Sequence, residues 1–99
     1  MAVLKIFLER GFSNDDVEIM VNGDKKYQKN NITTNQDLGL AESLIINDID
    51  EYNNITIFLK SRDISKKIRI NTFETTYLSI SIINNELKHR ISNKPPKHM

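Results

Sequence analysis

Two histidines are the only side chains in this sequence whose ordinary pKa lies near neutral pH, and there is no cysteine. His89 falls between Leu87 and Ile91 in the inward phase of an alternating run, so its catalytic reading is a buried general base. The plainer reading, which we favour, is a partly covered histidine at a sheet edge or interface. His98 stands in the C-terminal tail, where nothing fixes it in a productive geometry. Without cysteine there is no thiol nucleophile, no thiolate metal site and no disulfide. Serines are plentiful, but none lies in a G-x-S-x-G elbow. Gly11, Gly23 and Gly39 are too far apart to form a phosphate loop. The expectation is a protein that is not an enzyme.

Carboxylates cluster twice, in Asn14-Asp15-Asp16 and in Asn47-Asp48-Ile49-Asp50-Glu51. Hard oxygen ligands on a loop between strands suit calcium, which makes Asp48, Asp50 and Glu51 a candidate metal set and calcium the one candidate cofactor. Asp and Asn also start turns by hydrogen-bonding the backbone two residues on, and that reading is the stronger. A glycosidase-like carboxylate pair would require the two loops to converge on one cleft. Lys60, Arg62, Lys66, Lys67 and Arg69 surround one hairpin and are the candidate contacts for nucleic acid or another anion. Only Phe58 lies near enough to stack a base, and the pI near 8.0 is below that of a dedicated binder. Nucleic acid is therefore an unfavoured partner, and a lysine-guarded sheet edge explains the cluster better. Phe12, Tyr27, Tyr52, Phe73 and Tyr77 fall at strand ends and loops, where they would stack on sugar rings or cap the core. Phe7 and Phe58 occupy nominally polar strand faces and are the candidate interface residues. The sequons at Asn31 and Asn54 are read as accidents of asparagine richness.

The elements that would position these residues are strands. At 99 residues the chain is one domain's length, and with 38% hydrophobic and 27% charged residues and a net charge of +1 it is neither disordered nor membrane-spanning in composition. Fifteen Ile against two Ala disfavour a helical bundle. The charge is uneven: residues 1–54 carry ten acidic and five basic side chains, residues 55–99 three and nine. Alternation with period two runs through Leu4-Ile6-Leu8, Val17-Ile19-Val21, Ile55-Ile57-Leu59, Ile68-Ile70, Leu78-Ile80-Ile82 and Leu87-His89-Ile91. Asn22-Gly23 and Asn84-Asn85 are tight hairpin turns. The stretch TTNQDLGLAESLII fits either a short helix or a turn followed by a strand; Gly39 and the Leu44-Ile45-Ile46 run favour the strand. Together these features predict an all-β antiparallel sandwich of seven or eight strands, immunoglobulin-like or jelly-roll-like. It would be a single domain over residues 1–92, with a flexible tail at 93–99. The opening MAVLKIFLER turns charged too soon for a signal h-region or a span, so a cytoplasmic protein with no membrane association is expected.

The segments GFSNDDVEIMVNG and ITTNQDLGLAES resemble small single-domain bacterial β-sandwich proteins of no assigned function. That resemblance implies a free-standing all-β sandwich and carries no activity, substrate or site residue. The leading expectation is a binding or protein-interaction module acting through its loops or an exposed edge strand, with a protein partner or self-association. A carbohydrate- or calcium-binding module is the first alternative, and an anion binder through the basic hairpin the second.

Overall fold

The computed structural model describes residues 2–96. Eight strands follow in order: β1 (Ala2–Leu8), β2 (Asp15–Val21), β3 (Asp24–Ile32), β4 (Glu42–Ile49), β5 (Tyr52–Leu59), β6 (Ile64–Asn71), β7 (Thr76–Ile83) and β8 (Glu86–Ser92). Among the described residues there is no helix, and so none long and apolar enough to cross a membrane. Residues 93–96 leave β8 without regular structure, and 97–99, with His98, lie outside the described residues.

The strands form two four-stranded sheets, ordered β4-β1-β7-β8 and β3-β2-β5-β6. The antiparallel expectation holds for every neighbouring pair but one. β1 and β7 run parallel, with Leu4, Ile6 and Leu8 beside Thr76, Leu78 and Ile80. Hairpin turns dictate antiparallel pairing only between strands consecutive in sequence, and these two are joined through the whole of the other sheet. Odd-numbered strands run one way and even-numbered strands the other. The connections at 9–14, 33–41, 60–63 and 84–85 therefore gather at one end of the molecule, and those at 22–23, 50–51 and 72–75 at the opposite end.

The inward positions of both sheets feed one hydrophobic cluster that includes Leu4, Ile6, Leu8, Val17, Ile19, Ile55, Ile57, Leu59, Leu78 and Ile80. All twelve residues expected in the core from alternation (Leu4, Ile6, Val17, Ile19, Val21, Ile57, Leu59, Ile68, Ile70, Leu78, Ile80 and Leu87) are buried. The isoleucine excess is thus the packing material of this cluster, because β-branched side chains suit a pleated, half-buried surface. Alternation overreached in β8. Leu87 is buried, but His89 and Ile91 are exposed, since β8 is an edge strand and only its first inward position is covered by the opposing sheet.

Asparagine has a structural use that composition did not reveal. Among the described residues six non-glycine positions have positive φ (Asn14, Asn22, Asn31, Asp63, Asn84 and Asn85), and all are Asn or Asp, the side chains that best tolerate left-handed backbone. Asn22 (φ 52°) with Gly23 (φ 87°), and Asn84 (φ 53°) with Asn85 (φ 62°), have the paired positive φ of two-residue hairpins. Gly11 answers a different need: a Cβ there would lie 2.0 Å from the Ile82 carbonyl oxygen, so the β1–β2 connection can press on β7 only through glycine. The ambiguous stretch is a turn and then a strand. The Asn35 side-chain oxygen accepts from the N–H groups of Asp37 and Leu38, Asn35 bridges to Leu40, and β4 starts two residues later.

Candidate binding surfaces

Among the described residues Asp15 is the most deeply buried ionisable group, at 1% exposure. It begins β2, where the β1–β2, β5–β6 and β7–β8 connections meet. Arg62 grips it bidentately, Nε donating to Oδ1 and a terminal nitrogen to Oδ2, both at 2.8 Å. The Ser61 hydroxyl donates to Oδ1 and the Ser13 N–H to Oδ2, each at 2.8 Å. Burial alone would raise the Asp15 pKa, but the hydrogen bonds from Arg62, Ser13 and Ser61 and the guanidinium charge outweigh it and hold the carboxyl below its ordinary value. The same guanidinium donates to the Gly11 carbonyl (3.1 Å) and the Asn85 side-chain oxygen (3.2 Å). All of this chemistry is engaged in holding loops together.

That node engages Arg62, one of the five cations of the expected anion site. Lys60 pairs with Glu18 at 3.0 Å, and the Lys66 ammonium donates to the Leu87 carbonyl across the seam between the sheets. Lys67 and Arg69 remain on the outer face of β6. The five cations are neighbours in sequence but are not assembled into one stripe.

The acidic loops lie at opposite ends, which corrects any picture of converging carboxylates: Asp15 and Asp16 open β2 at one end, and Asp50 and Glu51 follow β4 at the other. The side chain of Asp48 lies outside what the structure describes, while those of Asp50 and Glu51 are exposed. The Asp50 carbonyl, the kind of oxygen a calcium loop offers, instead accepts from the Asn53 amide at 2.6 Å and from the Thr72 hydroxyl. Among the described residues no three His, Asp or Glu side chains group as a metal set would.

His89 lies opposite Ile80 on the exposed edge strand, not in a pocket, and among the described residues no hydrogen bond or ion pair reaches it. Partial burial and the nearby Lys66 charge lower its pKa. Phe7 and Phe58 do not share a face. Phe7 is on the outer face of the first sheet, stacked on Tyr77 with centroids 6.3 Å apart, whereas Phe58 is on the outer face of the second, between Glu18 and Ser65. Of the candidate sugar-stacking aromatics, Phe12 is in the core, and Tyr27 has a buried hydroxyl whose pKa burial and Glu42 push up to about 12. Only Tyr52 and Phe73 stand out into solvent together.

The four edge strands hold a feature that sequence reasoning missed. β3 carries Lys25, Lys26 and Lys29, β6 carries Lys66, Lys67 and Arg69, and β8 carries Lys88 and Arg90. β4 has neither Lys nor Arg over eight residues, and Ile45 at its centre is 58% exposed. Lysines on an edge resist pairing with another chain, so β4 is the one edge without that guard, although its pairing with β1 carries a bulge between Ile46 and Ile49. Strand order decides which strands are edges, and no local pattern reveals strand order.

No family model, curated protein or solved structure matches the chain.

Proposed function

We propose that the protein is a non-enzymatic β-sandwich module that binds an extended segment of a partner protein along β4. The single hydrophobic cluster fed by both sheets supports a sandwich. From β2 onward the connections run hairpin, crossing, crossing, hairpin, crossing, hairpin, which is the order of an immunoglobulin-like sandwich. Three departures go with it: β2 rather than β3 is the inner strand of the first hairpin, β5 rather than β6 is the inner strand of the second, and β1 is inserted between β4 and β7. The three in-sheet hairpins favour this type over a jelly roll.

The observation that carries the function is the missing guard on β4. Strand addition supplies main-chain hydrogen bonds along the edge, with affinity refined by alternate side chains. Ile45 lies on the outer face beside Lys5 of β1, offering an apolar contact to the added strand. Pairing of β4 with its own copy is disfavoured. The antiparallel register centred on Ile45 sets acidic positions 42 and 48 opposite each other twice. The partner segment is therefore extended, with apolar residues alternating with basic ones.

A fluorescent peptide of β4's length, alternating isoleucine and lysine, tests this by anisotropy. Binding that Ile45→Lys weakens about tenfold or more and that Lys67→Ser leaves intact is the expected result. Equal binding to the wild type and to Ile45→Lys would remove the reading.

A further inference from the structure

Tyr52 and Phe73 are each 67% exposed, an unusual display for two large rings, and they meet edge to face with centroids 6.1 Å apart. Each is followed or preceded by a buried polar residue, and those two residues are bonded to each other. Asn53, next to Tyr52, is 4% exposed, and Thr72, next to Phe73, is 2% exposed. The Asn53 amide donates to the Thr72 hydroxyl oxygen at 2.9 Å, and the Thr72 N–H donates to the Glu51 carbonyl at 2.8 Å. The Asn22 amide in turn donates to the Asn53 side-chain oxygen at 3.0 Å. A buried polar staple thus fixes the backbone beneath two solvent-facing rings. Core formation does not require those rings to be outside, and holding them rigid lowers the entropic cost of binding.

The surroundings say what the rings would meet. On the outer face of the second sheet Asn71 lies directly opposite Tyr52, and Arg69 opposite Asn54. Among the described residues the Asn54 and Asn71 amides and the Arg69 guanidinium have no hydrogen-bond or ion-pair partner. A depression of about 340 Å³ is lined by Tyr52, Asn54, Arg69 and Asn71, and one of about 430 Å³ lies on the Phe73 side, again with Asn71 in its wall. Both are within the size range of small-ligand sites. A protein hot spot would want a continuous apolar centre, but here amides interrupt it. An aromatic platform beside free donors and acceptors matches a ligand with an apolar ring face and a polar hydroxyl edge.

We propose that the Tyr52–Phe73 corner is a carbohydrate-binding site, in which a pyranose ring lies on Tyr52 or Phe73 while its hydroxyls meet Asn54, Asn71 and Arg69. This site is separate from the β4 edge and independent of the strand-addition reading. The test is an amide-shift titration of the full chain with cello-, xylo-, manno- and chito-oligosaccharides and with oligogalacturonate, each at millimolar concentration. Shifts confined to residues 52–54 and 69–73 for at least one glycan are expected. Tyr52→Ala should weaken that binding about tenfold or more, whereas Tyr52→Phe, which keeps the ring, should weaken it far less. A preference for oligogalacturonate would assign Arg69 to a sugar carboxylate, and a preference for a neutral glycan to a hydroxyl; either supports the site. No shift at the corner with any glycan would overturn the proposal. So would shifts there only with the isoleucine–lysine peptide, which would give the corner to protein.

Discussion

β4 and β6 are both eight-residue strands at a sheet edge, yet they present opposite surfaces. β6 alternates Ile64, Lys66, Ile68 and Ile70 inward with Ser65, Lys67, Arg69 and Asn71 outward. Lys66 in the inward phase reaches across to the Leu87 carbonyl, closing the seam between β6 and β8. Such an inward charge is a recognised way to stop a sheet from extending. β4 has no cation of its own, and its seam with β3 is closed by Lys29 of β3 acting on Glu42. Three edges therefore carry cations of their own and the fourth, β4, carries none. Of the basic cluster, which in sequence looks like a site, Lys60, Arg62 and Lys66 are engaged within the fold by Glu18, Asp15 and the Leu87 carbonyl. The site candidate is the strand without a cation of its own.

The largest effect should come from the cation at the start of the β6 hairpin. Arg62→Ala leaves Asp15 buried and without its main partner, and breaking a buried pair of this kind costs about 3 kcal/mol. Chemical denaturation measures it. If the loss were below that of an exposed pair, Arg62 would be free for binding and the contrast between β6 and β4 would fail.

Acid should act through the same node. The folded pKa of Asp15 is below its ordinary 3.8, so its stabilising contribution is fully present above that value and is lost as pH falls from there through the lower folded value. Denaturation curves across that acid range should show the stability of the wild type falling more steeply than that of Asp15→Asn. Parallel curves would contradict the assignment.

Ile45→Lys supplies the guard that β4 lacks. It should weaken binding of the isoleucine–lysine peptide by about tenfold or more, or ~1.4 kcal/mol. Because Ile45 is exposed, folding stability should change by less than about 0.5 kcal/mol. A large stability loss would show Ile45 to be part of the core and its exposure to be no sign of a partner.

The smallest effect is the reverse exchange. Lys67→Ser with Arg69→Ser removes outward cations from β6, with a stability change below about 1 kcal/mol. Peptide binding at β6 should become detectable for the first time. If it does not, lysines are not what closes that edge.

Period-two alternation made the inward residues of β1, β2, β5 and β7 legible, because one buried face imposes it directly on the sequence. The Asn22-Gly23 and Asn84-Asn85 turns were legible for an equally local reason, the backbone conformations they require. What lay beyond the sequence was nonlocal. Asp15 and Arg62 are 47 positions apart, and nothing local tells an acid that will be buried from one that will start a turn. Alternation shows that Phe7 and Phe58 face away from the core but not that they belong to different sheets. It also assigned His89 and Ile91 inward, because an edge strand keeps its period where the opposing sheet no longer covers it. The β4 edge was invisible for the same reason: a strand is guarded or unguarded only relative to its neighbours.

Hydrogen exchange of the backbone amides, with and without the isoleucine–lysine peptide, tests the central claim most directly. Added protection along β4, with β3, β6 and β8 unchanged, is the predicted result. Unchanged exchange along β4, or equal protection of β6, would contradict it.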